Sequence, residues 1–338
     1  MLANEITLHI GVHKTATTLI QRSLKTLRSQ LAAQGVAYVD RGEMSLLPAL
    51  HGWRAFRDPT APVPELRPQM PAFGVHRPDL AAAFTDELRA LAARRCAEVA
   101  SSSGDSLRHL LMSNETLVGS EAPDFGAVYR PRAVAALGHV LEALEPTRTH
   151  LVLYVRRQDT LIESQYMQRI HDGEVHDFAD FAARATADTF IQYQDLADRL
   201  RRIDAVVTVR VRPFEAVAAG PARFVADLLR PFDLDLDLTV LNKRRANPSY
   251  TAPALVAALA INPLLEGTEQ LRATRKFLRR TFPASRYPPP QLFTDRERRR
   301  VLEMYAAANR AFFERELPDA PVDSYADDEA TARLSQLV

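Results

Sequence analysis

Ile6-Thr7-Leu8-His9-Ile10-Gly11-Val12-His13-Lys14-Thr15-Ala16-Thr17-Thr18-Leu19-Ile20-Gln21-Arg22-Ser23-Leu24-Lys25-Thr26-Leu27 is the stretch that decides the fold. Its first five residues alternate apolar and polar, with Ile6, Leu8 and Ile10 on one side, and read as a short β-strand. From Thr17 the period becomes helical, so that Ile20, Leu24, Leu27 and Leu31 share one face. Gly11 to Thr18 forms the loop between them. A strand running into a loop that opens a helix aims backbone N–H groups and the positive helix end at one point. Lys14 adds a full charge there, and Thr15, Thr17 and Thr18 add hydroxyls. The combination predicts a phosphate or sulfate site.

Outward from that unit, strands and helices alternate. Residues 35–40, 107–112, 150–155 and 205–211 read as four further strands. Helices are expected from Asp79 to about Ala100, over 131–144, 160–171 and 178–202, and then over 221–231, 251–262, 267–281 and 294–316. Strands separated by helices imply parallel pairing. The expected fold is therefore α/β: a single domain over 1–317, with about five mainly parallel strands flanked by helices and a helical C-terminal region. Residues 41–79 form an irregular Pro-rich interval holding Trp53, Phe56 and Phe73, expected to be an insertion or lid on the acceptor side. Residues 318–338 are acidic and turn-rich, and are expected to be a disordered tail.

A second informative stretch closes the fourth strand: Tyr154-Val155-Arg156-Arg157-Gln158-Asp159-Thr160-Leu161-Ile162-Glu163-Ser164-Gln165-Tyr166. Ligands of open α/β sheets bind at the carboxyl ends of strands, which is where Arg156 falls. A helix from about Thr160 puts Ser164 one turn in. An arginine and a serine converging on one spot suit a phosphate monoester.

The loop is not a Walker A sequence, because Lys14 follows Gly11 by only three residues and no second glycine precedes it. It resembles instead the Gly-x-x-Lys-Thr-Gly-Thr-Thr loop of bacterial sulfotransferases that use 3′-phosphoadenosine 5′-phosphosulfate (PAPS), with Ala16 in place of the inner glycine. Glycine adopts positive φ cheaply and alanine does not, so Ala16 is expected in a right-handed, helix-compatible conformation. Arg156 and Ser164, eight residues apart, resemble the family's 3′-phosphate motif. Ser113-Asn114-Glu115, Val211-Arg212-Pro213-Phe214-Glu215, Lys243-Arg244-Arg245-Ala246-Asn247-Pro248-Ser249 and the pair Tyr305 and Asn309 are weaker echoes.

The resemblance implies a P-loop-like sulfotransferase fold. It implies that Gly11, Lys14, Thr15, Ala16, Thr17 and Thr18 hold the 5′-phosphosulfate. Arg156, Ser164 and Arg245 would hold the 3′-phosphate. It implies in-line sulfuryl transfer from PAPS to a hydroxyl or amine of a carbohydrate, glycolipid or small metabolite, with 3′-phosphoadenosine 5′-phosphate (PAP) as product and no metal. Lys14 would stabilise charge on the leaving oxygen. A general base belongs beside the sulfur; Glu115 and His13 are the two candidates, the imidazole having the more suitable ordinary pKa. His51, His76 and His171 are weaker candidates, and His9 reads as structural.

Two other classes stay open. A P-loop kinase would turn the loop to ATP with a Mg²⁺ ligand, and a nucleotide-binding protein without catalysis would keep the site without a poised base. Arg156 with Ser164 discriminates, because the pair reads a 3′-phosphate that ATP lacks.

Composition sets the outer bounds. The 338 residues are 46% hydrophobic and 25% charged, as in a globular protein. A net charge of +1 argues against a nucleic-acid or anionic-membrane partner. The single cysteine, Cys96, excludes an internal disulfide and reads as inert core filler. No stretch is long and apolar enough to span a bilayer, and a cytoplasmic location is expected. The arginines within 272–280 and 296–300 are expected to be solvated.

Overall fold

The structure is a computed structural model that describes residues 2–11, 14–45, 47, 78–103, 107–115, 134, 137–138, 141, 144–187, 192–241 and 249–337. The five expected strands form at β1 (Glu5–His9), β2 (Val36–Val39), β3 (His109–Ser113), β4 (Arg148–Val155) and β5 (Val206–Pro213). All pair in parallel, in the order β2-β3-β1-β4-β5. The helices are α1 (Thr17–Thr26), α2 (Arg28–Ala33), α3 (Arg41–Ser45), α4 (Pro78–Ser103), α5 (Gln158–His171), α6 (Phe178–Ala187), α7 (Tyr193–Arg201), α8 (Pro221–Leu229), α9 (Ala252–Ile261), α10 (Gly267–Thr281), α11 (Asp295–Glu316) and α12 (Asp328–Ala332). In the stretch 131–144, the described Val134, Leu137, Leu141 and Leu144 are buried at helical spacing.

Strand alternation sorts the core into two layers. Ile6, Leu8, Leu110, Met112, Leu151, Leu153 and Val155 pack on one face with α4, α5 and α11. Leu111, Val152 and Tyr154 point to the other, against Ile20, Leu24, Leu27 and Leu31 and the α8 residues Phe224, Val225 and Leu228. A parallel sheet covered on both faces is the arrangement its helical crossovers impose. Cys96 is fully buried in the first layer, and burial raises its pKa, which suits inert filler.

Register fixes the site. His9 of β1 lies opposite Ser113 of β3 and Val152 of β4. The ladder runs on past β1, with Ile10 N–H donating to Val152 O and Asn114 N–H donating to His9 O, each at 3.0 Å. The residues after β1, β3 and β4 therefore meet at one carboxyl-end crevice, where the strand order changes direction.

The C-terminal stretch departs from the expected tail. Residues 318–337 are packed: Ser324, Tyr325, Ala330 and Leu334 are buried. Tyr325 Oη donates to Glu215 Oε2 at 2.9 Å, and Arg157 Nη1 donates to Thr331 Oγ1 at 3.0 Å. The acidic residues that made the stretch read as solvated are used here as caps and ion pairs: Asp327 accepts from Ala330 N–H, and Asp328 pairs with Arg157. Most of the 41–79 interval lies outside the described residues; its first five form α3.

Candidate functional site

The loop after β1 is built around Gly11. A Cβ there would fall 2.7 Å from Thr15 Oγ1, 3.0 Å from His9 Nε2 and 3.3 Å from Tyr154 Cβ, so the close approach requires glycine. Lys14 and Ala16 both adopt positive φ, 72° and 62°. Ala16 is thus left-handed, contrary to the right-handed conformation expected for it. The turn from strand to helix needs that backbone sign, and alanine takes it at a strain of about 1–2 kcal/mol.

Ala16 is also the N-cap of α1, with no side-chain cap and no acidic residue in the first turn. Leu19 N–H already donates to the Ala16 carbonyl at 2.8 Å, which leaves the N–H groups of Thr17 and Thr18 as the uncapped donors of this turn. Thr17 Oγ1 is buried without a hydrogen-bond partner among the described residues. Uncapped donors, an orphaned hydroxyl and Lys14 make this a place for an anion.

Arg156 joins the second motif to the first. Its Nη1 donates to the Lys14 carbonyl oxygen at 2.9 Å and its Nε to Thr160 Oγ1 at 3.0 Å. Its guanidinium lies 4.4 Å from the Phe214 ring centre, and Tyr193 Oη donates to its carbonyl oxygen. Phe214 and Glu215, one of the weaker sequence echoes, thus support this corner: Glu215 Oε1 accepts from Arg157 N–H at 2.9 Å. Asn309 holds the start of α5, exchanging two hydrogen bonds with Gln158 at 2.6 and 3.0 Å.

Lys14 Nζ donates to Gln168 Oε1 at 3.1 Å. Thr160, Ser164 and Gln168 recur every four residues and so share one face of α5. Arg156 engages that stripe at its upper end and Lys14 at its lower end, with Ser164 between them. Ser164 is half-buried, and its hydroxyl makes no hydrogen bond among the described residues. Sequence reasoning missed Gln168, Thr160 and Tyr193 as site residues; the four-residue polar spacing is the signal that marks the first two.

Glu115 follows β3 and is buried. Its Oε1 accepts from Arg41 Nη1 at 2.7 Å and its Oε2 from Gln21 Nε2 at 3.0 Å. Gln21 also donates to Ser113 O at 3.3 Å. These contacts tie α1, the end of β3 and the first residue of α3 together. His9 sits beneath the loop, sharing a 2.8 Å hydrogen bond with Ser113 Oγ, and burial pulls its pKa down to about 3. Its structural placement agrees with the reading from strand alternation. His171 is buried against Tyr250, and burial, then Arg279, Lys14 and Arg275, lower its pKa to about 3. It is thus a neutral group beside Lys14. His13, Arg245, His51 and His76 lie outside the described residues.

The chain is similar to one solved sulfotransferase structure. A sulfotransferase domain from the curacin biosynthetic pathway shares 14% identity, over 91% of this chain and 97% of that one, with a TM-score of 0.35. No family model and no curated protein matches the chain. So loose a superposition says nothing of the site, whose case rests on its own residues.

Within 272–280 and 296–300, Arg272, Arg280, Arg296, Arg299 and Arg300 are exposed as expected, and the packing corrects that expectation at two positions. Arg298 pairs with Asp159 and with Glu163, the latter at 2.8 Å. Arg275 Nη2 lies 3.1 Å from Asp172 Oδ1. Both helices turn these residues inward, toward α5. Among the described residues no helix is long and apolar enough to cross a membrane.

Proposed function

We propose that this chain is a sulfotransferase that moves a sulfuryl group from PAPS to a hydroxyl or amine of a carbohydrate, glycolipid or small metabolite. The observation that carries the reading is the α5 stripe, with Arg156 at Thr160, Lys14 at Gln168 and Ser164 between. Thr160 and Gln168 are separated by ~12 Å of helix, on the scale of a nucleoside with phosphates on both sides of its ribose. Arg156 and Ser164 take the 3′-phosphate, Arg156 through the Nη2 that no described residue engages. Lys14, the N–H groups of Thr17 and Thr18 and the Thr17 hydroxyl take the 5′-phosphosulfate. Gly11, Thr15, Ala16 and Thr18 shape that loop, and Arg245 joins the 3′-phosphate by resemblance to the family.

The acceptor oxygen or nitrogen attacks sulfur as the bond from sulfur to the 5′-phosphate oxygen breaks. The electron pair of that bond stays on the phosphate oxygen, where Lys14 meets the growing charge. The acceptor's proton passes to a base, and Glu115 and His13 remain the two candidates. Both oxygens of Glu115 already accept hydrogen bonds, so a proton arriving there has to displace Arg41 or Gln21.

A thermal-shift comparison tests the reading. PAP is expected to raise the melting temperature well above the effect of ATP with Mg²⁺, because ligand binding to the folded state stabilises it by mass action. Stabilisation by ATP with Mg²⁺ and none by PAP would replace the sulfotransferase with a P-loop kinase.

A further inference from the structure

The α5 stripe continues one turn beyond Lys14. Gln168 Nε2 donates to both carboxylate oxygens of Asp172, at 3.0 and 2.9 Å, and Asp172 accepts from Arg275 Nη2 at 3.1 Å. Arg279 stands one turn along α10 from Arg275, on the same face. The end of α10 is fastened beside Tyr250: Thr251 Oγ1 donates to the Phe282 carbonyl at 3.0 Å. Tyr250 meets the His171 ring edge-on, with ring centres 4.0 Å apart.

Among these contacts the positive groups outnumber the negative ones. Lys14, Arg275 and Arg279 all act on the buried His171. The imidazole stays neutral and offers them no counter-charge. Asp172 is the one carboxylate among the contacts just described. The Arg279 side chain forms no hydrogen bond or ion pair among the described residues, and its Nε is buried. A half-buried corner with a surplus of positive charge concentrates anions.

We propose that Arg275 and Arg279 form a subsite for a carboxylate, sulfate or phosphate group carried by the acceptor. This rests on the sulfotransferase reading, in which the donor spans α5 from Thr160 to Gln168. An in-line nucleophile approaches sulfur from the side away from the leaving oxygen. The next turn along α5, at Asp172, is where the two arginines stand. An acceptor held there by its own negative group presents its hydroxyl or amine toward Lys14.

The test uses sulfate as the probe, titrated by calorimetry into protein saturated with PAP, so that the donor's phosphate positions are filled. Sulfate affinity is expected to fall about tenfold or more in Arg279→Gln, and further when Arg275→Gln is added, since each removes a charge-assisted contact. Arg279→Lys keeps the charge and is expected to retain most of the binding. In a second arm, radiolabelled PAPS is offered to acceptor pools separated beforehand by anion exchange, and label is expected in the retained, anionic pool. Equal sulfate binding in the intact protein and Arg279→Gln, no sulfate binding at all, or label only in the unretained pool overturns the subsite while leaving the sulfotransferase reading standing. Failure of the intact protein to bind PAP overturns that reading and the acceptor assignment together.

Discussion

Arg156 donates a 2.9 Å hydrogen bond from Nη1 to the carbonyl oxygen of Lys14, 142 residues earlier in the chain. The contact holds the loop after β1 against the end of β4, so one side chain both shapes that loop and stands at the proposed 3′-phosphate position. Phe214 behind the guanidinium and Tyr193 on its carbonyl fix Arg156 in that double role.

Arg156→Ala and Ser164→Ala should each weaken PAP binding by about 1.5–3 kcal/mol, the worth of a hydrogen bond to a charged group. Arg156→Ala should also disturb the loop, because the Lys14 carbonyl loses its donor. Calorimetric titration of PAP measures both. Unchanged affinity in the two variants would remove the 3′-phosphate assignment.

Lys14→Ala should lower turnover far more than PAP affinity, since a charge facing the leaving oxygen matters most once that oxygen is negative. A loss of roughly a hundredfold or more is expected, by analogy with lost oxyanion donors. Lys14→Arg should rescue poorly, because a wide planar guanidinium does not replace a compact ammonium. Turnover with radiolabelled PAPS, set beside PAP affinity, checks the split.

Ala16→Gly should stabilise the fold by about 1 kcal/mol, the relief of a left-handed alanine less the greater freedom of glycine in the unfolded chain. Ala16→Val should do the reverse by a larger amount, since a β-branched side chain is strained further at positive φ. Urea unfolding midpoints of the two variants decide it.

Acid should weaken the fold through His9 and His171. Burial, joined at His171 by Arg279, Lys14 and Arg275, holds both folded pKa values near 3, below the ordinary 6.5. Between those values the unfolded chain binds protons that the folded chain refuses, so stability falls as pH drops from about 6.5 toward 3. The slope is at most about 1.4 kcal/mol per pH unit for each histidine. His9→Gln should flatten the pH dependence of the unfolding midpoint between pH 7 and 5; an unchanged slope would count against a buried neutral His9.

Tyr325→Phe should destabilise the protein by about 1–3 kcal/mol, by leaving a buried Glu215 oxygen without its donor. Burial already raises the Glu215 pKa, so the variant should show the larger loss at neutral pH, where the carboxyl is most ionised. Melting temperature at pH 7 against pH 5 measures it. A tail that did not pack would give no effect.

Local periodicity determined much of this protein. Ile6, Leu8 and Ile10 alternate as a strand and Ile20, Leu24 and Leu27 repeat as a helix, so the loop between them, with Lys14 and its threonines, was legible from neighbours alone. The same holds for the later strands and for Arg156 with Ser164, whose spacing is a local property of one strand end and one helix turn. What only the tertiary structure decided involves residues far apart in the chain. Strand order and register set the Arg156 contact with Lys14, the Gln168 contact with Lys14 and the convergence of Gln21 and Arg41 on Glu115. No sequence period encodes which strands become neighbours. Ala16 went the opposite way from its local preference because the turn into α1 sets the sign of φ, and packing of the surrounding loop outweighs about 1–2 kcal/mol of strain. The C-terminal stretch read as solvated because it is acidic and turn-rich; Arg157 and Glu215, which hold it, stand more than a hundred residues away. Composition alone does not reveal a partner that the fold brings from that distance.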